Sequence, residues 1–206
     1  MKTRRWMMTS VMLALAATAS GIAQANATVG QAAPAFSITD SQGKTVSLAD
    51  FKGKHVVLEW VNPGCPFVKK HYDSGNMPGT QKSATGQGVV WLAVSSTAKS
   101  AGDYKPPAEL EAWMKSKQSA HSATLMDDDG KLGKAYGART TPHLYLIDPA
   151  GKLIYAGAID SKPTANPADI KTAVNYVNQA VGEALSGKPV SQPASTPYGC
   201  SIKYAS

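Results

Sequence analysis

Val56-Val57-Leu58-Glu59-Trp60-Val61-Asn62-Pro63-Gly64-Cys65-Pro66-Phe67-Val68-Lys69-Lys70-His71-Tyr72 compresses a strand, a turn and a helix into one stretch. Val56 to Val61 is rich in β-branched and aromatic residues, which predicts a buried central strand. Pro63-Gly64 is a turn pair. Pro66 suits the first position of a helix, which places Cys65 at or near the N-cap. There the sulfur would face the unpaired N–H groups of the first turn and the positive end of the helix dipole. Lys69 and Lys70 add positive charge, and together these features favour the nucleophilic thiolate. The alternative is an inert buried cysteine or half of a permanent disulfide.

Outward from this stretch the pattern alternates. Residues 35–38 and 45–48 flank Asp40-Ser41-Gln42-Gly43 and predict a β-hairpin. Val89 to Val94 predicts a second buried strand. Leu144 to Ile147 and Leu153 to Tyr155 form a strand pair around the turn Asp148-Pro149-Ala150-Gly151. Helices are expected at Pro66 to Tyr72, Pro107 to Lys117 (with Leu110, Trp113 and Met114 on one face) and Lys131 to Tyr136. A last one starts at the Asn166-Pro167 cap and carries the stripe Ile170, Val174, Val177, Val181 and Leu185 to Gly187. The order predicts an α/β domain: a central mixed β-sheet flanked by helices, with an N-terminal β-hairpin and a C-terminal tail. Asp127-Asp128-Asp129-Gly130 lacks the remaining ligands of a calcium loop and reads as an exposed turn capping the short helix.

The termini have their own character. Lys2, Arg4 and Arg5 precede the uncharged apolar run Val11 to Ala19, and Ala25 and Ala27 supply the small residues of a cleavage site. This predicts a signal peptide over 1–27 and a periplasmic or secreted protein; an uncleaved anchor is the other reading. The 206 residues carry a net charge of +7, but losing the leader takes positive residues from 21 to 18 against 14 acids, so the mature charge is +4. The lysines are scattered, which argues against a nucleic-acid partner, and no other stretch suits a membrane helix. With 43% apolar and 17% charged residues the chain is not disordered. Two cysteines are too few for a disulfide scaffold or a four-cysteine zinc site. The expected organisation is thus 1–27 leader, 28–187 domain and 188–206 Pro/Ser-rich tail. The aromatics and Cys200 in Tyr198-Gly199-Cys200-Ser201-Ile202-Lys203-Tyr204 suggest that the tail docks. About 13 residues of extended linker reach roughly 40 Å, enough to bring Cys200 to Cys65.

The strand–turn–Cys–Pro–helix element resembles the active-site element of the thioredoxin fold. Arg139-Thr140-Thr141-Pro142-His143 resembles its cis-proline loop, and Ala33-Pro34-Ala35-Phe36 with Asp40 and Gly43 resembles the hairpin of the alkyl hydroperoxide reductase/thiol-specific antioxidant family. A peroxiredoxin-like subgroup is similar in its Asn-Pro-x-Cys-Pro-Phe-Val-Lys-Lys-His-Tyr motif, its Gly-Ala-Ile-Asp segment (Gly157 to Asp160) and its Gly-Cys-Ser-Ile-Lys ending. The resemblance implies a thioredoxin-like fold. Where thioredoxins carry a second cysteine, this chain has Val68, so the short-range disulfide is absent. Where peroxiredoxins place a Thr or Ser and a Pro before their cysteine, it has Asn62 and Leu58. Arg139 is the only arginine of the mature chain, hence the only candidate for polarising a peroxide.

By this resemblance Cys65 is the catalytic nucleophile of an exported thiol–disulfide oxidoreductase, or of a peroxiredoxin-like antioxidant protein. Cys200 either resolves its adducts or closes a static bridge. Glu59, an acid in an apolar strand, corresponds to a buried carboxylate that exchanges protons with the active cysteine; the alternative is a solvent-facing or structural residue. Thr141, Pro142, Pro66 and Phe67 are expected at the substrate surface. The implied partners are protein or small-molecule thiols and disulfides, with peroxides as a further class, and an external thiol reductant. No cofactor and no metal is expected. Two other classes compete: a copper-delivery module using Cys65, His71, His143 and Cys200, and a non-catalytic interaction domain stapled by Cys65–Cys200.

Overall fold

A computed structural model describes residues 27–205, so the expected leader lies almost wholly outside the described residues. Five strands form the central sheet: β3 (Val56–Trp60), β4 (Val90–Ser95), β5 (Ala123–Met126), β7 (His143–Ile147) and β8 (Leu153–Gly157). Their order is β5-β4-β3-β7-β8. Pairings β3–β4 and β4–β5 are parallel, while β3–β7 and β7–β8 are antiparallel. The sheet is therefore mixed, with β3, the strand that leads to Cys65, at its centre. β3 is buried along its whole length, as a continuous apolar run on a two-sided sheet requires.

The period of two along β3 sorts its side chains between two cores. Val57 and Val61 face a layer built from α1 (Pro66–Asp73), α2 (Asn76–Thr85), α3 (Pro107–Ser116) and α5 (Tyr176–Leu185). Val56, Leu58 and Trp60 face the other layer, made by the hairpin β1 (Ser37–Thr39) and β2 (Thr45–Ser47) with α4 (Lys131–Tyr136). Glu59 shares the first face, in the helix layer. Asp127 anchors α4: its carboxylate accepts Leu132 N at 3.0 Å and Gly133 N at 2.8 Å. The capping reading of that loop holds, although Asp127 itself is buried rather than exposed.

Three elements differ from expectation. The helix predicted from Pro167 to Leu185 is broken: a 3-10 turn covers Pro167–Thr172, and α5 starts only at Tyr176. A second cap causes the break, since the Asn175 side chain accepts Asn178 N, and Val174 between the pieces is exposed. Helix α2 was hidden by Pro78 and Gly79, although Pro78 lies in the first turn, where its missing N–H costs nothing. Strand β5 was hidden by its brevity, four residues of which the middle two, Thr124 and Leu125, are buried.

The tail docks. Beyond Gly187 it runs beside β8, where Ala156 N donates to Pro193 O and Ser195 N to Ala156 O, covering that sheet edge. Ser195 Oγ bonds Tyr155 Oη at 2.7 Å and accepts Ala158 N at 2.9 Å. The chain then crosses the start of α1 and forms β9 (Cys200–Ser201), antiparallel to β6 (Thr140–Thr141). It ends over α4, where Tyr204 donates to Ala138 O at 2.7 Å. No helix among the described residues is long and apolar enough to cross a membrane.

Candidate active site

Cys65 leaves the C-terminal end of the central strand through a turn in which its N–H donates to Asn62 O at 3.0 Å. Asn62 Oδ1 accepts Gly64 N at 2.7 Å, and Asn62 Nδ2 donates to Asp103 at 2.9 Å, fixing the turn from inside and outside. Cys65 is the N-cap of α1 with Pro66 at N1, as the sequence predicts. One detail is different: the sulfur makes no cap hydrogen bond to the first turn. It points across to the neighbouring loop and donates to Thr141 O at 3.0 Å. The thiol is buried, with 2% of the residue exposed.

Thr141–Pro142 is a cis peptide bond, so the loop expected from the sequence is present. Thr141 pairs with Cys200 in the β6–β9 ladder. Three of the expected site residues thus meet at one backbone position. Cys65 touches Thr141 through its sulfur, and Cys200 lies opposite Thr141 in the ladder. Both cysteines are free thiols. Burial, with the Cys65 sulfur beside it, pushes the Cys200 thiol up to about 12.

Glu59 is fully buried, which removes the solvent-facing reading. It accepts from Trp91 Nε1 at 2.7 Å, Tyr72 Oη at 2.8 Å and Gln81 Nε2 at 2.9 Å. Burial raises its pKa to about 7 against the pull of those three donors. Glu59 and Cys65 border the same core cluster, but the carboxylate's partners are Trp91, Tyr72 and Gln81. Pro66 is exposed beside the cysteine, and Phe67 is half-buried with its ring edge-on to Tyr198, the centroids 5.8 Å apart.

The lysine pair behaves differently from expectation. Lys69 is exposed, but Lys70 is buried. Its Nζ donates to Lys162 O at 2.9 Å and lies 3.8 Å from Asp160. The ammonium is thereby committed to Asp160. Around Asp160 a group assembles that sequence reasoning missed: Lys70, His71 and Tyr198, the last donating to Asp160 Oδ1 at 2.5 Å. The signals available were Asp160 at the end of the Gly-Ala-Ile-Asp segment and an aromatic just before Cys200.

The copper set does not assemble. Among the described residues no three or more His, Cys, Asp or Glu side chains are grouped as metal ligands. His71 Nε2 is bonded to Tyr198 Oη at 3.0 Å and its Nδ1 to Asn76 at 2.8 Å, while His143 Nδ1 is shared by Arg139 N and Tyr145 Oη. Arg139 is exposed, and its carbonyl accepts Ile202 N of the tail.

The AhpC/TSA family profile matches residues 29–156, from before the hairpin into β8. The chain belongs to the AhpC/TSA family. This AhpC/TSA chain is 31% identical over 125 residues to the thiol-disulfide oxidoreductase ResA of Bacillus subtilis, covering 61% of this chain and 64% of that one, just under two thirds of the relative's length. A crystal structure of a hypothetical protein from Sinorhizobium meliloti superposes with a TM-score of 0.72 at 26% identity, over 87% of this chain and 96% of that chain. A thiol:disulfide interchange protein from Bacteroides sp. superposes with a TM-score of 0.51 at 23% identity, over 71% of this chain and 88% of the other. The fold is thioredoxin-like. The family match ends before Asp160, Tyr198 and Cys200, so the tail that completes the site lies outside it.

Proposed function

We propose that the protein is an exported thiol–disulfide oxidoreductase of redoxin type, with Cys65 as nucleophile and Cys200 as resolving cysteine. One observation carries the reading: the Cys65 sulfur and the Cys200 strand converge on the same residue, Thr141. Likeness to a protein named for thiol–disulfide exchange supports it. The export part rests on the basic, apolar and small-residue segments of 1–27, ahead of a domain over 28–187 and a tail over 188–206.

In this reading Cys65 attacks one sulfur of a disulfide, forming a mixed disulfide and expelling one thiol. Cys200 then attacks the Cys65 sulfur, forms the Cys65–Cys200 bridge and expels the second thiol. The substrate gains two electrons and the two cysteine protons; an external dithiol returns the protein to its reduced form. Thr141 and Pro142, with Pro66 and Phe67, line the approach for thiol or disulfide substrates. Glu59 is a buried proton store poised near neutral pH. A peroxide is the second oxidant class: Cys65 becomes a sulfenic acid with release of an alcohol or water, and Cys200 condenses with it, releasing water.

Mass spectrometry after a mild disulfide or peroxide challenge tests this. The expected products are an adduct on Cys65 and then the Cys65–Cys200 bridge, both lost in Cys65→Ser along with thiol exchange. Undiminished exchange and peroxide consumption in Cys65→Ser would overturn the assignment. A bridge that excess dithiol leaves intact would mark a static staple instead.

A further inference from the structure

Tyr198 is joined to the body of the protein more elaborately than a docking aromatic needs to be. Its hydroxyl donates to Asp160 Oδ1 at 2.5 Å and contacts His71 Nε2 at 3.0 Å. Because Asn76 Nδ2 donates to His71 Nδ1, the neutral ring presents Nε2–H to the hydroxyl. The bonds then run one way, from His71 to Tyr198 to Asp160. The ring of Tyr198 stands edge-on to Phe67 and has Lys70 Nζ 5.5 Å from its centroid. The side chains of Lys70, His71 and Asp160 have 0% exposure. Burying an ion pair and an imidazole carries a large desolvation cost that an apolar cluster of the same shape would avoid. What the arrangement adds is direction, since the hydroxyl has one donor, one acceptor and one place to sit.

That place is two residues from Cys200. Gly199 between them lies against the Thr141 carbonyl, which fixes the path of the chain. Beyond Cys200 the strand is held again, by Ile202 N on Arg139 O and Lys203 on Asp103. Cys200 is therefore suspended between two anchors, and only at the upstream one do the partner side chains, His71 and Asp160, have no exposure.

We propose that Tyr198, held by Asp160 and His71, is a positioning residue for resolution: it fixes Cys200 at the Cys65 adduct and raises its effective concentration there. This rests on Cys65 and Cys200 acting as under Proposed function. The step it serves breaks the sulfur–sulfur bond between Cys65 and a bound thiol and forms the Cys65–Cys200 bond. The Cys200 proton leaves with the released thiol, and no outside oxidant is consumed in that step. Holding an attacking group near its target gives an intramolecular reaction a high effective concentration, and loosening the hold lowers it.

The test equilibrates full-length protein with glutathione and glutathione disulfide, quenches with acid, and measures by mass the ratio of bridged protein to Cys65–glutathione adduct. Tyr198→Phe retains the ring on Phe67 but loses both hydroxyl bonds. It is expected to lower that ratio at least tenfold, with adduct accumulating at the expense of the bridge. His71→Gln, which loosens the hydroxyl from the other side without altering the tail, is expected to shift the ratio the same way by less; circular dichroism checks that each variant is folded. A ratio within twofold of wild type in both folded variants would overturn the proposal while leaving the nucleophile assignment standing. Wild-type protein that forms neither product would overturn the underlying reading, and this one with it.

Discussion

Glu59 is an acid surrounded by donors and shut away from water, and its chemistry follows from that. Its folded pKa of about 7 lies above the ordinary carboxylate value of 4.5. Below pH 4.5 the side chain is protonated in both folded and unfolded chains and stability is unaffected. As pH rises toward 7 the unfolded chain ionises first, so folding loses free energy across that window, about 3 kcal/mol in all. His71, held near 4 by burial, and His143, held near 3 by burial and Arg139, work in the opposite sense: they are buried neutral, so stability is gained as pH rises toward the ordinary histidine value. Comparing wild type with Glu59→Gln separates the two. The variant is expected to be no more stable than wild type near pH 4.5 and to gain about 3 kcal/mol on it by pH 8, as read by urea denaturation over a pH series. A difference that is flat with pH would remove Glu59 as a neutral-range proton store. The sequence could show an acid in an apolar strand; it could not show Trp91, Gln81 and Tyr72 closing on it, because those partners come from three other elements.

At the scale of elements, what was legible was local. Strand β3, the turn and the Cys65–Pro66 helix start are adjacent in the chain, and periodicity and proline placement were enough to read them. Where two caps compete, as at Asn166 and Asn175, the apolar stripe Ile170–Val174–Val177 pointed to one helix and the backbone made two. The pairing of β9 with β6 joins residues far apart in sequence, so only the presence of aromatics and a cysteine hinted at it. Gly199 makes that pairing sterically feasible. It has φ +141, and a Cβ there would strike the Thr141 carbonyl. Overpacking of this kind costs about 1–3 kcal/mol, concentrated on the last strand. Gly199→Ala is therefore expected to leave the central sheet intact and to speed alkylation of Cys200 about tenfold or more, since each 1.4 kcal/mol is a factor of ten in opening. An unchanged rate would mean that the strand is not what shields the thiol.

For the molecule as a whole the two cysteines lie far apart in the sequence and meet at Thr141 in space. Bridging them closes a loop of about 135 residues, and chain-entropy arguments assign such a closure up to about 5 kcal/mol. The oxidised protein is expected to melt several degrees above the reduced one in calorimetry, and the gap is expected to vanish in Cys200→Ser. Equal melting of both forms would show that the bridge strains the fold as much as it restrains the unfolded chain.

The seat of β9 has a further consequence, for competition. The backbone of Thr141 can pair with one strand at a time, and the protein's own C-terminus is already there. A visiting polypeptide binds only the fraction of molecules whose tail has left, so its apparent dissociation constant is the intrinsic one divided by that fraction. If roughly one molecule in a hundred is open, an outside strand binds roughly a hundredfold more weakly than the bare groove would allow. If Thr141 receives substrates as proposed, the tail filters visiting chains by how strongly they pair. Only a partner that pairs with the groove better than a tethered strand does can occupy it long enough to react.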